Sequence, residues 1–170
     1  MTQRGTLILM ILAAAFSRLI PHPWNFTAIG AMALFGGALL PSKKQSVIIP
    51  LVALFLSDLV LGFHSTMVYV YTGFAATVVM GWSLREGKTF VRITTLSLFS
   101  SAVFFVVTNF GVWIEGGFYS QNLEGLLSCY VAAIPFFDNQ ILGDLFYSGV
   151  LFGGYEVLKS LVPSLSASAK

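Results

Sequence analysis

Arg18, Asp58 and Asp144 are charged residues set within, or at the edge of, long apolar runs. Such groups are costly inside a bilayer and are kept there for pairing or for function. One cation and two carboxylates come close to neutralising one another, so Arg18 is expected to contact Asp58 or Asp144. Two uses are open to the set. It can lock helices together as a structural ion pair, or it can orient a polar ligand in a pocket walled by aromatic side chains. Asn25, His64, Asn109, Trp113 and Asn139 lie toward the same ends of the apolar runs and complete the candidate ligand-binding set. Asn109 and Trp113 are four residues apart and share one helix face. Trp24, Tyr69, Tyr71 and Tyr119 read as residues of the membrane–water interface.

Other chemistry finds little support. His22 and His64 with Asp58 would make at most a sparse metal site, no H-x-x-x-H spacing supports one, and no metal or cofactor is assigned. The single cysteine, Cys129, excludes an intrachain disulfide and any Cys-clustered zinc or iron–sulfur site. It reads as a small buried hydrophobe; the alternative is a soft ligand for a metal-containing cofactor such as a corrinoid. The stretch Gly81 to Thr89 imitates a phosphate-binding loop, but five residues separate its glycines where the motif has four, and no strand precedes it. No G-x-S-x-G or H-E-x-x-H pattern occurs. The expectation is therefore a non-enzymatic protein.

The elements that must position these residues follow from composition. Of 170 residues, 56% are hydrophobic and 9% charged, against about 25% charged in soluble domains. That places the chain in a lipid bilayer as one all-α integral membrane domain, with no nucleic-acid partner. Six helical spans are expected, at about 4–20, 26–41, 46–63, 66–84, 92–113 and 140–160. Pro21 and Pro23 end the first, Asn25 or Thr27 can cap the second, and Pro50 falls in the first turns of the third. The first span has a rival reading as a cleavable signal peptide. Eight of the nine basic residues fall on one side of this arrangement, only Arg18 on the other; the positive-inside rule then places both termini in the cytoplasm. Small residues at helix-packing intervals (Ala13 and Ser17; Gly30, Ala33 and Gly37; Gly149 and Gly153) suit close approach within the chain or to a partner subunit.

Thr108 to Asp144 holds four of the seven acidic residues and no Lys or Arg. Within it, the apolar core from Leu123 to Phe137 is short for a crossing and is bounded by Glu124 and Asp138. It is expected to be a short helix lying on, or dipping into, the outer face. The 114–139 segment would then roof an outward-facing pocket bounded by the first, third, fifth and sixth spans.

The runs RLIPHPWNFTAIGAMALFGGALL, PLVALFLSDLVLGFH, VYVYTGF, TNFGVW and CYVAAIPFFDNQILGD resemble a family of short, functionally unassigned bacterial membrane proteins grouped under transport. More distantly, the layout is similar to the substrate-binding S components of energy-coupling-factor vitamin transporters. That resemblance implies a six-helix bundle in the bacterial inner membrane, with an outward-facing ligand pocket and small residues facing an energy-coupling membrane subunit and its ATPase. The expectation is a solute-binding transporter component for a small vitamin-like or cofactor-like molecule. The alternative is a small membrane enzyme or assembly factor built on the Arg18/Asp58/Asp144 cluster.

Overall fold

The computed structural model describes residues 2–162 and 165. Its elements are helices α1 (Gln3–Phe16), α2 (Ile29–Leu39), α3 (Lys43–Leu61), α4 (Met67–Gly81), α5 (Phe90–Glu115), α6 (Leu123–Ser148) and α7 (Gly154–Leu161). Two 3-10 turns, Ser17–Leu19 and Trp82–Glu86, extend α1 and α4, and a π-helical turn, Gly149–Gly153, joins α6 to α7 without a break. No strand occurs among the described residues. Side-chain caps start four of the helices: the oxygens of Thr2, Ser42, Thr89 and Asn122 accept backbone N–H groups of α1, α3, α5 and α6.

The bundle is built around α2. Its sequence, IGAMALFGGAL, has no polar side chain, and Ala31 through Ala38 are all buried. A helix apolar on every side belongs in a core, and α1, α3, α4, α5 and α6 surround it. Glycines set the distance to two neighbours. A Cβ on Gly81 of α4 would lie 3.0 Å from the Cα of Gly37, and one on Gly36 would meet the Pro50 ring of α3. Pro50 thus sits in the interior of α3, beyond the first turns where sequence alone had placed it. Phe35 meets the edges of Phe152 and Tyr155, at 5.2 and 6.1 Å. The small residues of α2 therefore pack within the chain. Gly149 and Gly153 do not: no atom of the described residues lies within 4 Å of a Cβ added to either.

Among the described residues, four helices are long and apolar enough to cross a membrane: Lys43–Leu61, Met67–Glu86, Phe90–Glu115 and the continuous Leu123–Leu161. Large apolar side chains on their outer faces, such as Leu59, Val60, Phe99 and Val106, are exposed, as suits a bundle solvated by lipid. The basic residues gather where α2 and α4 end and α3 and α5 begin. Arg85 donates to the carbonyls of Gly37 and Leu40 at 3.0 and 2.9 Å, Arg92 to Ser83 at 2.6 Å, and Lys43 lies over the Trp82 ring.

The expected separate helix between the fifth and sixth spans does not exist. Residues 123–139 are the first 17 of the 26 residues of α6, which pairs antiparallel with α5 along its length. Ser148 faces Ser97, Asp144 bonds Ser101, the rings of Phe137 and Phe105 lie 4.5 Å apart, and Tyr130 donates to the Val106 carbonyl. Only residues 116–122 connect the two. The boundaries suggested by Glu124 and Asp138 were misleading. Glu124 lies in the first helical turn, where a carboxylate complements the helix dipole, and Asp138 points out from an exposed face. Pro135 is accommodated inside the helix. At 1.5 Å per residue the 39-residue rod is about 58 Å long, roughly twice the hydrocarbon thickness.

Candidate functional site

The 11 residues of α2 span about 16 Å, half a bilayer. Its first turn lies beside Ser101 and Asp144, and Ser101 is near the middle of the 26-residue α5. The chain from Ile20 to Ala28 is non-helical and so descends from the end of α1 to mid-bundle as irregular backbone. Pro21 and Pro23 prevent a helix here. Asn25 adopts a left-handed conformation (φ 61°), which asparagine tolerates better than most residues. Phe26 anchors the strap on α6 against Phe146 and Tyr147, both at 5.8 Å. Gly143 allows this, since a Cβ there would lie 3.0 Å from the Thr27 nitrogen.

A helix end inside a bundle leaves backbone groups that water cannot satisfy. Neither Asn25 nor Thr27 caps α2, whose N-cap position is Ala28. The cap comes from another helix. The Asp144 carboxylate, 4% exposed, accepts from the Ser101 hydroxyl at 2.6 Å and lies against the backbone N–H groups of Gly30 and Ala31, which attract its charge. Gly30 makes room for it, because a side chain there would overlap the carboxylate. Arg85 serves the other end through the carbonyls of Gly37 and Leu40. An anion at the N-terminus and a cation at the C-terminus both complement the dipole of α2.

Arg18 lies in the 3-10 turn that ends α1. Its Nη1 donates to the Ser57 hydroxyl at 2.6 Å and to Asp58 Oδ1 at 2.7 Å; the Tyr71 hydroxyl donates to Asp58 Oδ2 at 2.8 Å. The side chains of Arg18 and Asp58 are 12% and 5% exposed. Arg18 therefore pairs with Asp58, while Asp144 keeps other partners. Tyr71, expected at the membrane interface, is instead part of this network.

Beside the pair is a cavity of about 590 Å³. The strap contributes His22, Trp24, Asn25 and Thr27; α5 contributes Phe104, Thr108, Asn109 and Val112. Arg18, His64, Val70 and Gln140 close the remaining sides. Trp24 and both histidines are exposed, so the cavity opens at the Arg18 end of the bundle. No lining residue comes from 114–139. The roof expected of that segment is supplied by the strap.

Of the residues singled out from sequence, Arg18, Asn25, His64 and Asn109 border the cavity, and Asp58 stands behind Arg18. Trp113 does not line it. Its indole donates to the Ser120 carbonyl at 2.9 Å and its own carbonyl accepts from Gln121 at 2.6 Å, which holds the turn between α5 and α6. Asn139 is half-buried and outside the lining; its neighbour Gln140 is inside it. Asp144 is taken up by α2. Cys129 is buried, with its thiol donating to the Asn109 carbonyl at 3.5 Å, and is not part of the cavity wall. Sequence reading missed Thr27, Thr108 and Gln140. Gln140 carried a usable signal, a large polar residue in an apolar helix one turn before Asp144.

No curated protein and no solved structure is significantly similar to the chain. A sequence profile does match residues 1–165, nearly the whole length. The chain belongs to that family, a family of unknown function designated DUF6580.

Proposed function

We propose that the chain is a solute-binding transporter component of the bacterial inner membrane, which takes up a small vitamin-like or cofactor-like molecule through the cavity beside Arg18. In this reading six segments cross the bilayer: α1 with its 3-10 turn, the strap with α2, then α3, α4, α5 and the α6–α7 rod. The clustered basic residues face the cytoplasm with both termini, and the cavity faces outward.

The observation that carries the proposal is the broken second crossing. Irregular backbone at membrane depth is tolerated where it is buried in protein or lines a cavity, and half-helices of this kind recur at the binding sites of transporters. Here the strap that replaces half a helix forms the wall of a 590 Å³ cavity, within the range usual for small-molecule sites. Movement of solute would need a separate energised membrane subunit with its ATPase, or a toppling of the bundle.

Native mass spectrometry of protein released directly from its own membranes tests the reading. The expected result is a small molecule bound at up to one per chain and lost on filling the cavity with Thr108→Trp. A molecule retained undiminished by a folded Thr108→Trp variant would place binding elsewhere. Absence of any bound or exchangeable solute would remove the reading.

A further inference from the structure

The hydrogen-bonding groups on the cavity wall are divided by sign, and the division specifies a ligand. At one side is Arg18. Both of its hydrogen bonds leave from Nη1, to Ser57 and Asp58. Nε and Nη2 have no partner among the described residues, and neither is sealed inside the protein, where Gln45 Oε1 is the only unsatisfied buried side-chain polar atom among them. The planar guanidinium thus has one edge held against α3 while its remaining donors face the cavity it lines. His22 and His64 stand near it. Each commits its Nδ1, to the Pro23 carbonyl and the Thr66 hydroxyl respectively, both at 2.9 Å; because His22 Nδ1 donates to a carbonyl, its neutral ring keeps only a lone pair at Nε2.

No Asp or Glu lines the cavity. The two nearest carboxylates are already engaged, Asp58 by Arg18 and Tyr71 and Asp144 by Ser101 and the first turn of α2. An anionic group brought to Arg18 would meet the free guanidinium donors and no opposing free carboxylate.

The inner wall has the opposite character. Gln140 is 8% exposed, and its Nε2 donates to the Ser101 carbonyl at 2.9 Å. A carbonyl only accepts, so the orientation of this amide is settled and Oε1 is the atom left over. Asn109 repeats the arrangement: its Nδ2 donates to the Phe105 carbonyl at 2.9 Å, which leaves Oδ1. The Thr108 hydroxyl proton is likewise given to its own helix, at the Phe104 carbonyl. The inner wall therefore presents acceptor oxygens, beside the second N–H of each amide, and Val70, Phe104 and Val112 supply apolar surface between the two regions.

Building on the solute-binding reading, we propose that the cavity selects a small amphipathic molecule with an anionic group, carboxylate or phosphate, at Arg18 and a hydrogen-bond donor directed at Gln140 and Asn109. A neutral or cationic counterpart would leave the free guanidinium edge unmatched, and one lacking the donor would leave the Gln140 oxygen at the cavity wall unmatched.

Four near-isosteric probes separate these requirements: 3-(4-hydroxyphenyl)propionate, 3-phenylpropionate, 3-(4-hydroxyphenyl)propanamide and tyramine. Their affinities are measured by calorimetry and thermal shift on the full chain in nanodiscs of zwitterionic lipid. The hydroxy acid should bind best, with the amide and tyramine at least about tenfold weaker. Arg18→Lys retains a charge for Asp58 but lacks the second edge; it should abolish the preference for acid over amide. Gln140→Met, similar in shape, should abolish only the preference for the hydroxyl. Equal or tighter binding of the amide or tyramine overturns the anion assignment while leaving a solute site intact. Equal affinity of the two acids overturns the donor assignment. Failure of all four to bind overturns the proposal, while the solute-binding reading beneath it is decided separately by the native mass spectrometry of membrane-released protein. Repeating the titration with phosphatidylglycerol in the nanodisc distinguishes the source of the anion. Loss of acid binding there supports the same chemistry with a lipid headgroup as its natural bearer; unchanged binding supports a free solute.

Discussion

Replacing Asp144 with Ala should destabilise the fold itself. The carboxylate accepts from one hydroxyl, Ser101, and is the acceptor facing the N–H groups of Gly30 and Ala31. The hydroxyl loses little, because its single proton already has a second acceptor, the Ser97 carbonyl at 2.8 Å. The two backbone groups have no such recourse in a region where Asp144 is 4% exposed. An unsatisfied buried donor costs about 1–3 kcal/mol, so the pair costs about 2–6 kcal/mol. Release from the desolvation of a buried carboxylate offsets part of this, which favours the lower half of the range. Asp144→Asn retains one acceptor oxygen and should lose about half as much. Stability is measured by denaturant unfolding in a fixed detergent, and local protection by hydrogen exchange at the Gly30 and Ala31 amides. The expected pattern is a lowered midpoint with faster exchange confined first to the start of α2. An Asp144→Ala protein within about 0.5 kcal/mol of the parent, the usual range for an inconsequential substitution, with unchanged exchange at those amides, would refute the account of Asp144 as the cap of α2.

Breaking the Arg18–Asp58 pair from one side strands a buried charge, so Arg18→Met or Asp58→Leu alone should cost about 3–5 kcal/mol, and the double variant distinctly less than the two single losses added together; a double-mutant cycle in the same unfolding assay reads this directly. Arg85→Ala frees the Gly37 and Leu40 carbonyls at the other end of α2 and should cost about 1.5–3 kcal/mol, as expected for hydrogen bonds from a charged donor, with a lowered melting temperature as the readout. Gly81→Ala forces α4 from the backbone of α2 and should cost about 1–3 kcal/mol, whereas Gly149→Ala, with no atom of the described residues within 4 Å, should fall within about 0.5 kcal/mol.

Helical class, apolar exterior and most helix positions were legible along the chain, because they depend on local quantities: the length of an apolar run, a capping side chain, a proline that ends a helix. The runs expected at 46–63, 66–84 and 92–113 correspond to α3, α4 with its 3-10 turn, and α5. The cost of an isolated charge in lipid was likewise enough to anticipate a partner for Arg18. Roles that depend on which helices meet were not legible. Asp58 and Asp144 look equivalent in sequence, each an acid in an apolar run, yet one neutralises a cation and the other caps a helix 114 positions earlier in numbering, at Gly30. The second expected span, 26–41, reads as one crossing helix; only the placement of the start of α2 beside mid-α5 shows that its helical part covers half a bilayer, with residues 20–28 as strap. The lid was misplaced for the same reason. Sequence shows charges at 124 and 138 but not the α5 surface along which the intervening residues pack. Local composition determined that these helices form in lipid. Their mutual packing, through contacts between residues far apart in the chain, decided which polar groups are consumed by the fold and which remain free to face the cavity.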